Sequence, residues 1–111
     1  MSLIDTYQLS NDVTIPVVGF GTWQTPNGAV ANFAIKAALA SGYRHIDTAE
    51  MYGNEQSIGK AIKETGIRRN SLFITSKLNN HAHNYAAATA AIDQSLQDLQ
   101  TDYLDLFLIH W

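Results

Sequence analysis

The sequence predicts an α/β fold built on a parallel sheet, and two observations support this prediction. Short apolar runs centred near residues 20, 46, 74 and 107 alternate with segments that have the apolar periodicity of helices. The runs recur every 26 to 33 residues, a spacing that suits βα units. With 111 residues and 46% hydrophobic content, the chain is long enough for one domain with a real core, and we treat 1–111 as a single domain.

The first third of the chain predicts a hairpin, a strand and a helix. Residues 7–16 alternate around Asn11-Asp12, which indicates a small hairpin, and residues 17–22 read as a first buried strand. Thr25 as N-cap and Pro26 at the first helical position predict a helix start, and Ser41-Gly42 predicts its end. The expected buried face of this helix consists of Val30, Phe33, Ala34, Ala37 and Ala38.

The remaining chain continues the alternation. A strand over 43–48 is followed by a helix that Asn54 caps and Gly66 ends, with Ile58, Ala61 and Ile62 on its apolar face. A third strand covers 72–76. A helix follows from about Ala86 to Leu99, with Ala88, Ile92, Leu96 and Leu99 on one face. The fourth strand, 103–109, is nearly all apolar, as expected for a strand covered on both sides.

Composition narrows the classes of function. Seven basic against ten acidic residues offer no basic stripe for nucleic acid or for an anionic membrane. There are no cysteines, and the first residues lack the pattern of a signal peptide. The longest apolar stretch is too short to span a bilayer. We therefore expect a soluble, cytoplasmic protein.

The chain ends at His110-Trp111, directly after a strand that should be buried. A four-stranded sheet ending there would leave bare edges, and a complete barrel of eight βα units needs roughly 250 residues. We expect the chain to be the N-terminal, truncated part of a longer protein. We expect such a fragment to self-associate, because the unpaired edges of its sheet can pair with those of another copy.

Four ionisable residues lie at or just beyond the predicted strand ends: Asp47, Tyr52, Lys77 and His110. Parallel strands carry their chemistry at the carboxyl end, so these side chains are expected to meet in one pocket.

The segment Gly42–Glu55, GYRHIDTAEMYGNE, resembles the signature of the aldo-keto reductase family. Three further segments agree with the family in order and spacing: VGFGTW at 18–23, ITSK at 74–77 and YLDLFLIHW at 103–111. Within the family, the chain is most similar to bacterial enzymes of the diketogluconate reductase and small-aldehyde reductase type.

The resemblance implies an NADPH-dependent reductase of small aldehydes or ketones on a (β/α)8 TIM barrel. This chain would supply the N-terminal hairpin and the first four strands. The family's catalytic residues fall on Asp47, Tyr52, Lys77 and His110. Thr22, Trp23 and Asp47 match cofactor-binding positions, and Trp23 and Trp111 match the wall of the substrate pocket.

The resemblance also implies what lies outside this chain. The later segments that bind the adenosine 2′-phosphate of the cofactor are absent, so the preference for NADPH over NADH is left open. The full-length protein is expected to be a monomer, and the 111-residue chain alone is expected to be inactive.

Carbonyl reduction explains why these residue types are needed. The cofactor carries the hydride, and the protein must deliver a proton to the developing alkoxide. Tyr52 would be the general acid. An ammonium beside a tyrosine favours the phenolate, so Lys77 would tune it, while Asp47 anchors Lys77. His110 would donate a hydrogen bond that orients the carbonyl.

Several other residues have polar or glycine-rich patterns that could indicate a different function. His45 is expected to pack rather than react. His81 and His83 lack a third ligand, so no metal is predicted. Asn79-Asn80 either shapes the pocket or caps a turn. Gly19-Phe-Gly21 fails the Rossmann fingerprint, because position 24 is Gln.

Two other functions also stay open. One is a binding or regulatory barrel protein that keeps the cofactor but has little turnover. The other is an inert half-barrel fragment.

Overall fold

The computed structural model describes residues 2–79 and 84–110. The chain opens with an antiparallel hairpin of β1 (Thr6–Gln8) and β2 (Thr14–Pro16), in which Tyr7 faces Ile15. The backbone N–H of Leu9 donates to the carbonyl of Val13 at 2.7 Å and closes the turn. The predicted hairpin is confirmed.

The four following strands form one parallel sheet in chain order, as predicted. The first strand of this sheet is shorter than the predicted strand 17–22. It lies at the edge of the sheet and pairs with its neighbouring strand over only two residues. The strands are β3 (Phe20–Gly21), β4 (His45–Asp47), β5 (Phe73–Leu78) and β6 (Leu106–Ile109).

The strand register aligns the carboxyl ends of the sheet. Gly21 pairs with Asp47, and Lys77 pairs with Leu108. Alternation along a strand then places His110 on the same face as Leu108 and Lys77. The opposite face packs on the helices and forms the core, which contains Ile35, Leu39, Ile46, Ile58, Ala61, Ile62, Leu72, Ile74 and Leu99.

The first helix, α1 (Ala29–Ala40), begins later than the predicted start at Thr25-Pro26. Gly28 has a φ of 99°, which a right-handed helix does not admit, so the helix begins after it. The predicted end is confirmed. Gly42 has a φ of 105°, and its N–H donates to the carbonyl of Leu39.

The predicted buried face of α1 is largely wrong. Val30 and Phe33 are 55% and 75% exposed, and Ala38 is the only member of the predicted set that is buried. The helix buries a different face instead, consisting of Ala31, Ile35, Ala38 and Leu39. Because the segment is apolar almost all round, its periodicity did not determine which side meets the sheet.

The second helix, α2 (Glu55–Thr65), buries Ile58, Ala61 and Ile62 as predicted and ends at Gly66, whose φ is 74°. Asn54 occupies the N-cap position, but its side chain makes no capping hydrogen bond. The predicted cap is therefore wrong in mechanism, because the Asn54 amide is used elsewhere.

The third helix, α3 (Tyr85–Leu99), begins at Asn84, whose Oδ1 accepts from the N–H of Ala87 at 2.9 Å. The predicted face is only partly right. Leu99 is buried, but Ala88, Ile92 and Leu96 are half-buried, while Ala91 and Ser95 are buried.

Strand β6 does not show the expected burial on both faces. Leu108 and Ile109 are 41% and 71% exposed. In the described part of the chain, β6 pairs only with β5, and helices cover only one face of the sheet. The apolar composition of the strand is thus not matched by cover within residues 2–79 and 84–110. No helix there has the length and apolar character needed to cross a bilayer.

Candidate active site at the carboxyl ends of the strands

Asp47 and Lys77 form an ion pair at the carboxyl end of the sheet. The Lys77 ammonium donates to Asp47 Oδ1 and to the carbonyl of Thr48 at 3.1 Å. The Lys77 side chain is only 14% exposed, whereas that of Asp47 is 41% exposed. A largely buried ammonium requires such partners, since desolvation without them is costly.

Tyr52 reaches the same place from the loop after β4. It ends a short 3-10 turn, Glu50–Tyr52, and Gly53 in the left-handed region (φ 69°) redirects the chain into α2. The Lys77 ammonium lies 5.3 Å from the centroid of the Tyr52 ring. A cation at this distance from an aromatic ring is attracted by it.

His110 completes the cluster. Its backbone N–H donates to the carbonyl of Leu78 at 3.1 Å, which continues the β5–β6 ladder by one residue. Its imidazole packs edge-to-face on the Tyr52 ring, with centroids 5.6 Å apart and planes at 85°. The structure therefore brings together all four residues that the sequence placed at strand ends.

The loop after β3 borders this cluster. Thr22 is 1% exposed, and both its N–H and its hydroxyl donate to the carbonyl of Asp47 at 3.1 Å. Trp23, the next residue, is 69% exposed at the open end of the sheet. Trp111 lies outside the described residues. A contact of Thr22, Trp23 or Asp47 with a cofactor stays a prediction.

One site residue that the sequence did not reveal is Asn54. Trp23 and Gln24 form a turn closed by the Thr25 N–H, which donates to the carbonyl of Thr22 at 3.1 Å. Gln24 has a φ of 60°, a left-handed conformation that costs a non-glycine residue on the order of 1–3 kcal/mol. Asn54 donates to the carbonyls of Thr22 and Thr25, both at 2.9 Å.

A second unforeseen residue is Glu55, which is 3% exposed at the start of α2. Its two carboxylate oxygens accept hydrogen bonds from the hydroxyls of Ser76 at 2.7 Å and Ser95 at 2.8 Å. Burial raises the pKa of Glu55, and the two serine hydrogen bonds oppose that rise. Glu55 thus joins α2, β5 and α3 directly behind Lys77, and nothing in the local sequence signals its burial.

Replacing Glu55 with glutamine is expected to flatten the pH dependence of stability. A raised carboxyl pKa gives the folded chain more bound protons than the unfolded chain. The contribution of Glu55 to stability is therefore fully present below the ordinary glutamate pKa of about 4.3, and it is lost as pH rises through the pKa that Glu55 has in the folded chain. Glutamine can still hydrogen-bond to both serines but does not titrate. Urea unfolding across this pH range measures the effect.

The matched control for that measurement is Glu64→Gln, since the Glu64 side chain is exposed and pairs with Lys36 at 2.8 Å on the surface. The pKa of Glu64 is lowered rather than raised, chiefly because its carboxylate accepts a hydrogen bond from Lys36. A Glu55→Gln variant that loses stability with rising pH as steeply as the parent chain would contradict the assignment.

His45 packs as the sequence indicated. Its ring lies edge-to-face on Phe73 at 5.0 Å, and its nitrogens contact Thr75 Oγ1 at 2.9 Å and the carbonyl of Pro16 at 3.4 Å. Burial lowers the pKa of His45, and the Pro16 carbonyl opposes that shift. Because His45 is the first residue of β4, its ring lies at the end of the sheet remote from the carboxyl ends of the strands.

The metal alternative rests on residues outside the described ranges. His81, His83 and Asn80 lie there, and no group of three or more potential ligands occurs within residues 2–79 and 84–110. Asn79 is half-buried directly after β5, and its role as pocket residue or turn cap stays open.

Comparisons with known proteins agree with this geometry. Residues 17–111 match the model of the aldo/keto reductase family. The chain is 50% identical over 110 residues to glyoxal reductase of Bacillus subtilis. This alignment covers 99% of the chain and 40% of the relative. It is also 50% identical over 102 residues to aldo-keto reductase family 1 member A1 of Xenopus tropicalis, covering 87% of this chain and 31% of that relative.

Solved structures give the same result. The chain superposes on an aldo/keto reductase from Brucella melitensis with a TM-score of 0.93 and 46% identity, covering 97% of this chain and 41% of the other. For the aldose reductase of Schistosoma japonicum, the TM-score is 0.89 and the identity 41%, over 97% of this chain and 37% of the other.

The fold and the matched structures define an α/β oxidoreductase scaffold, namely the hairpin and first four strands of a (β/α)8 TIM barrel. The chain belongs to the aldo/keto reductase family. It spans about two fifths of the length of glyoxal reductase and about a third of the Xenopus relative. The resemblance and the fold class read from the sequence are confirmed.

Proposed function

We propose that this chain is the N-terminal part of a barrel enzyme that reduces aldehydes or ketones to alcohols with NADPH. The observation that carries the proposal is the contiguous cluster of Asp47, Lys77, Tyr52 and His110. It joins an ion pair, a phenol and an imidazole at the end of the sheet where parallel strands carry their chemistry.

Each residue of the cluster has one role in the proposed reaction. Tyr52 donates its hydroxyl proton to the oxygen of the carbonyl as charge develops there. Lys77 stabilises the phenolate left behind, since its ammonium faces the Tyr52 ring. Asp47 holds the ammonium in place, and His110 donates a hydrogen bond that orients the carbonyl oxygen.

A bound reduced nicotinamide would supply the hydride. The residues present fit its reactive end, because the Asp47 side chain is partly exposed and the loop that carries the exposed Trp23 is hydrogen-bonded through Thr22 to the carbonyl of Asp47. The preference for NADPH over NADH comes from the family resemblance alone. Segments that would hold the adenosine phosphate lie outside this chain.

The proposed substrate is a small carbonyl compound. A relative that is 50% identical is named glyoxal reductase, and this likeness supports a small carbonyl substrate. We further propose a monomeric, cytoplasmic full-length enzyme, in which later strands and helices cover β6 and the Val30-Phe33 face of α1.

The test is a chimaera in which this chain replaces the matching segment of Bacillus subtilis glyoxal reductase. NADPH consumption is followed with glyoxal and with sugar-derived carbonyls, for the chimaera and for the 111-residue chain alone. We expect activity in the chimaera only, and weak or no NADPH binding by the short chain. A folded but inactive chimaera would refute the proposed reaction and favour a binding or inert role.

A further inference from the structure

The loop of residues 22–28, here called the Trp23 loop, is tied to the first turn of α2 at four points. Asn54 donates to the carbonyls of Thr22 and Thr25, both at 2.9 Å. The Ser57 hydroxyl donates to Asn27 Oδ1 at 2.5 Å and accepts from the N–H of Gly28 at 2.7 Å. All four hydrogen bonds join segments about 30 residues apart in sequence.

The hydrogen bonds of Asn54 hold a turn that does not favour its own conformation. They meet the first and last carbonyls of the turn in which Gln24 is left-handed, and such conformations persist only where surrounding structure enforces them. Asn54 is fully buried, and its Oδ1 has no partner in the described part of the chain. The hydrogen bonds of the Asn54 side chain in the described part of the chain are therefore the two that its amide N–H groups donate to the turn.

The same short segment connects this turn to the proposed acid. Asn54 follows Tyr52 by two residues, and Gly53 between them has a φ of 69°. On the other side, Thr22 is tied to the carbonyl of Asp47 by two hydrogen bonds. The backbone of the Trp23 loop is thus tied both to Asp47 and to the segment that carries Tyr52.

We propose that Asn54 and Ser57 are positioning residues that hold the backbone of the Trp23 loop, and with it the place from which the exposed Trp23 side chain projects, and thereby set the affinity for the carbonyl substrate. The inference rests on the proposed reductase function for its kinetic consequence. Neither residue touches the reacting atoms; both act through the Trp23 loop. Trp23 in turn forms a wall against which a small carbonyl compound packs.

The kinetic test uses the chimaera described above. Ser57→Ala removes two loop hydrogen bonds, and Asn54→Asp removes two donors with little change of shape. We expect KM for the carbonyl to rise roughly fivefold for Ser57→Ala and roughly tenfold or more for Asn54→Asp, with a smaller fall in kcat. Ser57→Thr keeps the hydroxyl and should restore the parental KM.

The control is Gln56→Ala on the same helical turn, whose side chain points to Asp98 on α3 rather than to the Trp23 loop. It should leave KM unchanged. An unchanged KM in Ser57→Ala and Asn54→Asp, with only a lower melting temperature, would overturn the proposal by showing that both residues serve stability alone.

A second measurement does not depend on activity. The chain contains two tryptophans, so Trp111→Phe leaves Trp23 as the sole tryptophan, which can be excited selectively over the tyrosines. In that background, Ser57→Ala should lower the steady-state anisotropy of Trp23 while circular dichroism shows an intact fold. Unchanged anisotropy would overturn the proposal that Ser57 holds the Trp23 loop in place. A chimaera without Tyr52-dependent activity would instead count against the reductase function, and the anisotropy would still decide whether the loop is held.

Discussion

Tyr52→Phe is expected to abolish carbonyl reduction in the chimaera, with kcat lowered roughly a hundredfold or more, the size of a general-acid contribution. The substitution removes one hydroxyl and keeps the ring. The ring contacts with the Lys77 ammonium at 5.3 Å and the His110 imidazole at 5.6 Å are therefore preserved. The loss should reflect a missing proton donor rather than a disturbed fold.

Two measurements separate these causes. NADPH binding, followed by fluorescence titration, should change little in Tyr52→Phe, because the substitution keeps the aromatic ring and the proposed role of the hydroxyl is proton donation alone. Tyr7→Phe is the matched control, since Tyr7 is 66% exposed on β1 of the N-terminal hairpin, outside the strand-end cluster. Parental turnover in Tyr52→Phe would remove Tyr52 from the role of acid.

The second large effect concerns stability, and Gly59→Ala is expected to lower the free energy of unfolding by about 1–3 kcal/mol. A Cβ at position 59 would lie 2.5 Å from the carbonyl oxygen of Asp98 and 2.7 Å from Leu99 backbone atoms. These are backbone atoms at the end of α3, so the clash is relieved only by moving the two helices apart.

The sign of this effect is informative, because glycine-to-alanine inside an exposed helix normally stabilises by about 1 kcal/mol. Urea unfolding of the 111-residue chain measures it. Gly21→Ala is the matched control, since a Cβ there meets nothing within 4 Å and its stability should change little. A Gly59→Ala chain as stable as the parent would mean that α2 and α3 do not approach as closely as described.

The sequence was most informative where local chemistry and the final contact coincide. Gly66 ends α2 because a left-handed residue is needed there, and Ile58, Ala61 and Ile62 stand out because the rest of that helix is polar. The four strand-end residues were predictable for a related reason. Parallel strands align their carboxyl ends, so position along each strand predicts proximity across the sheet.

The sequence was less informative where several local patterns were equally good. In α1, Ala, Val, Phe, Ile and Leu surround the helix, and periodicity selected the side of Val30 and Phe33, which is exposed. For β6, apolar composition predicted cover on both faces, but Ile109 is 71% exposed in the described part of the chain. Apolar composition shows that a strand can be buried on both faces, whereas its actual burial depends on which elements lie beside it.

By itself, the sequence thus determined the α/β class, the order of its elements and the identity of the four residues that gather at the strand ends. Only the tertiary structure decided the roles of Asn54, Glu55 and Gly59. Each depends on atoms 20 or more residues away: the Thr22 and Thr25 carbonyls, the Ser76 and Ser95 hydroxyls, and the backbone of α3. Local propensity cannot register such partners, because their distance is set by how the helices pack on the sheet and not by the residues next to them in the chain.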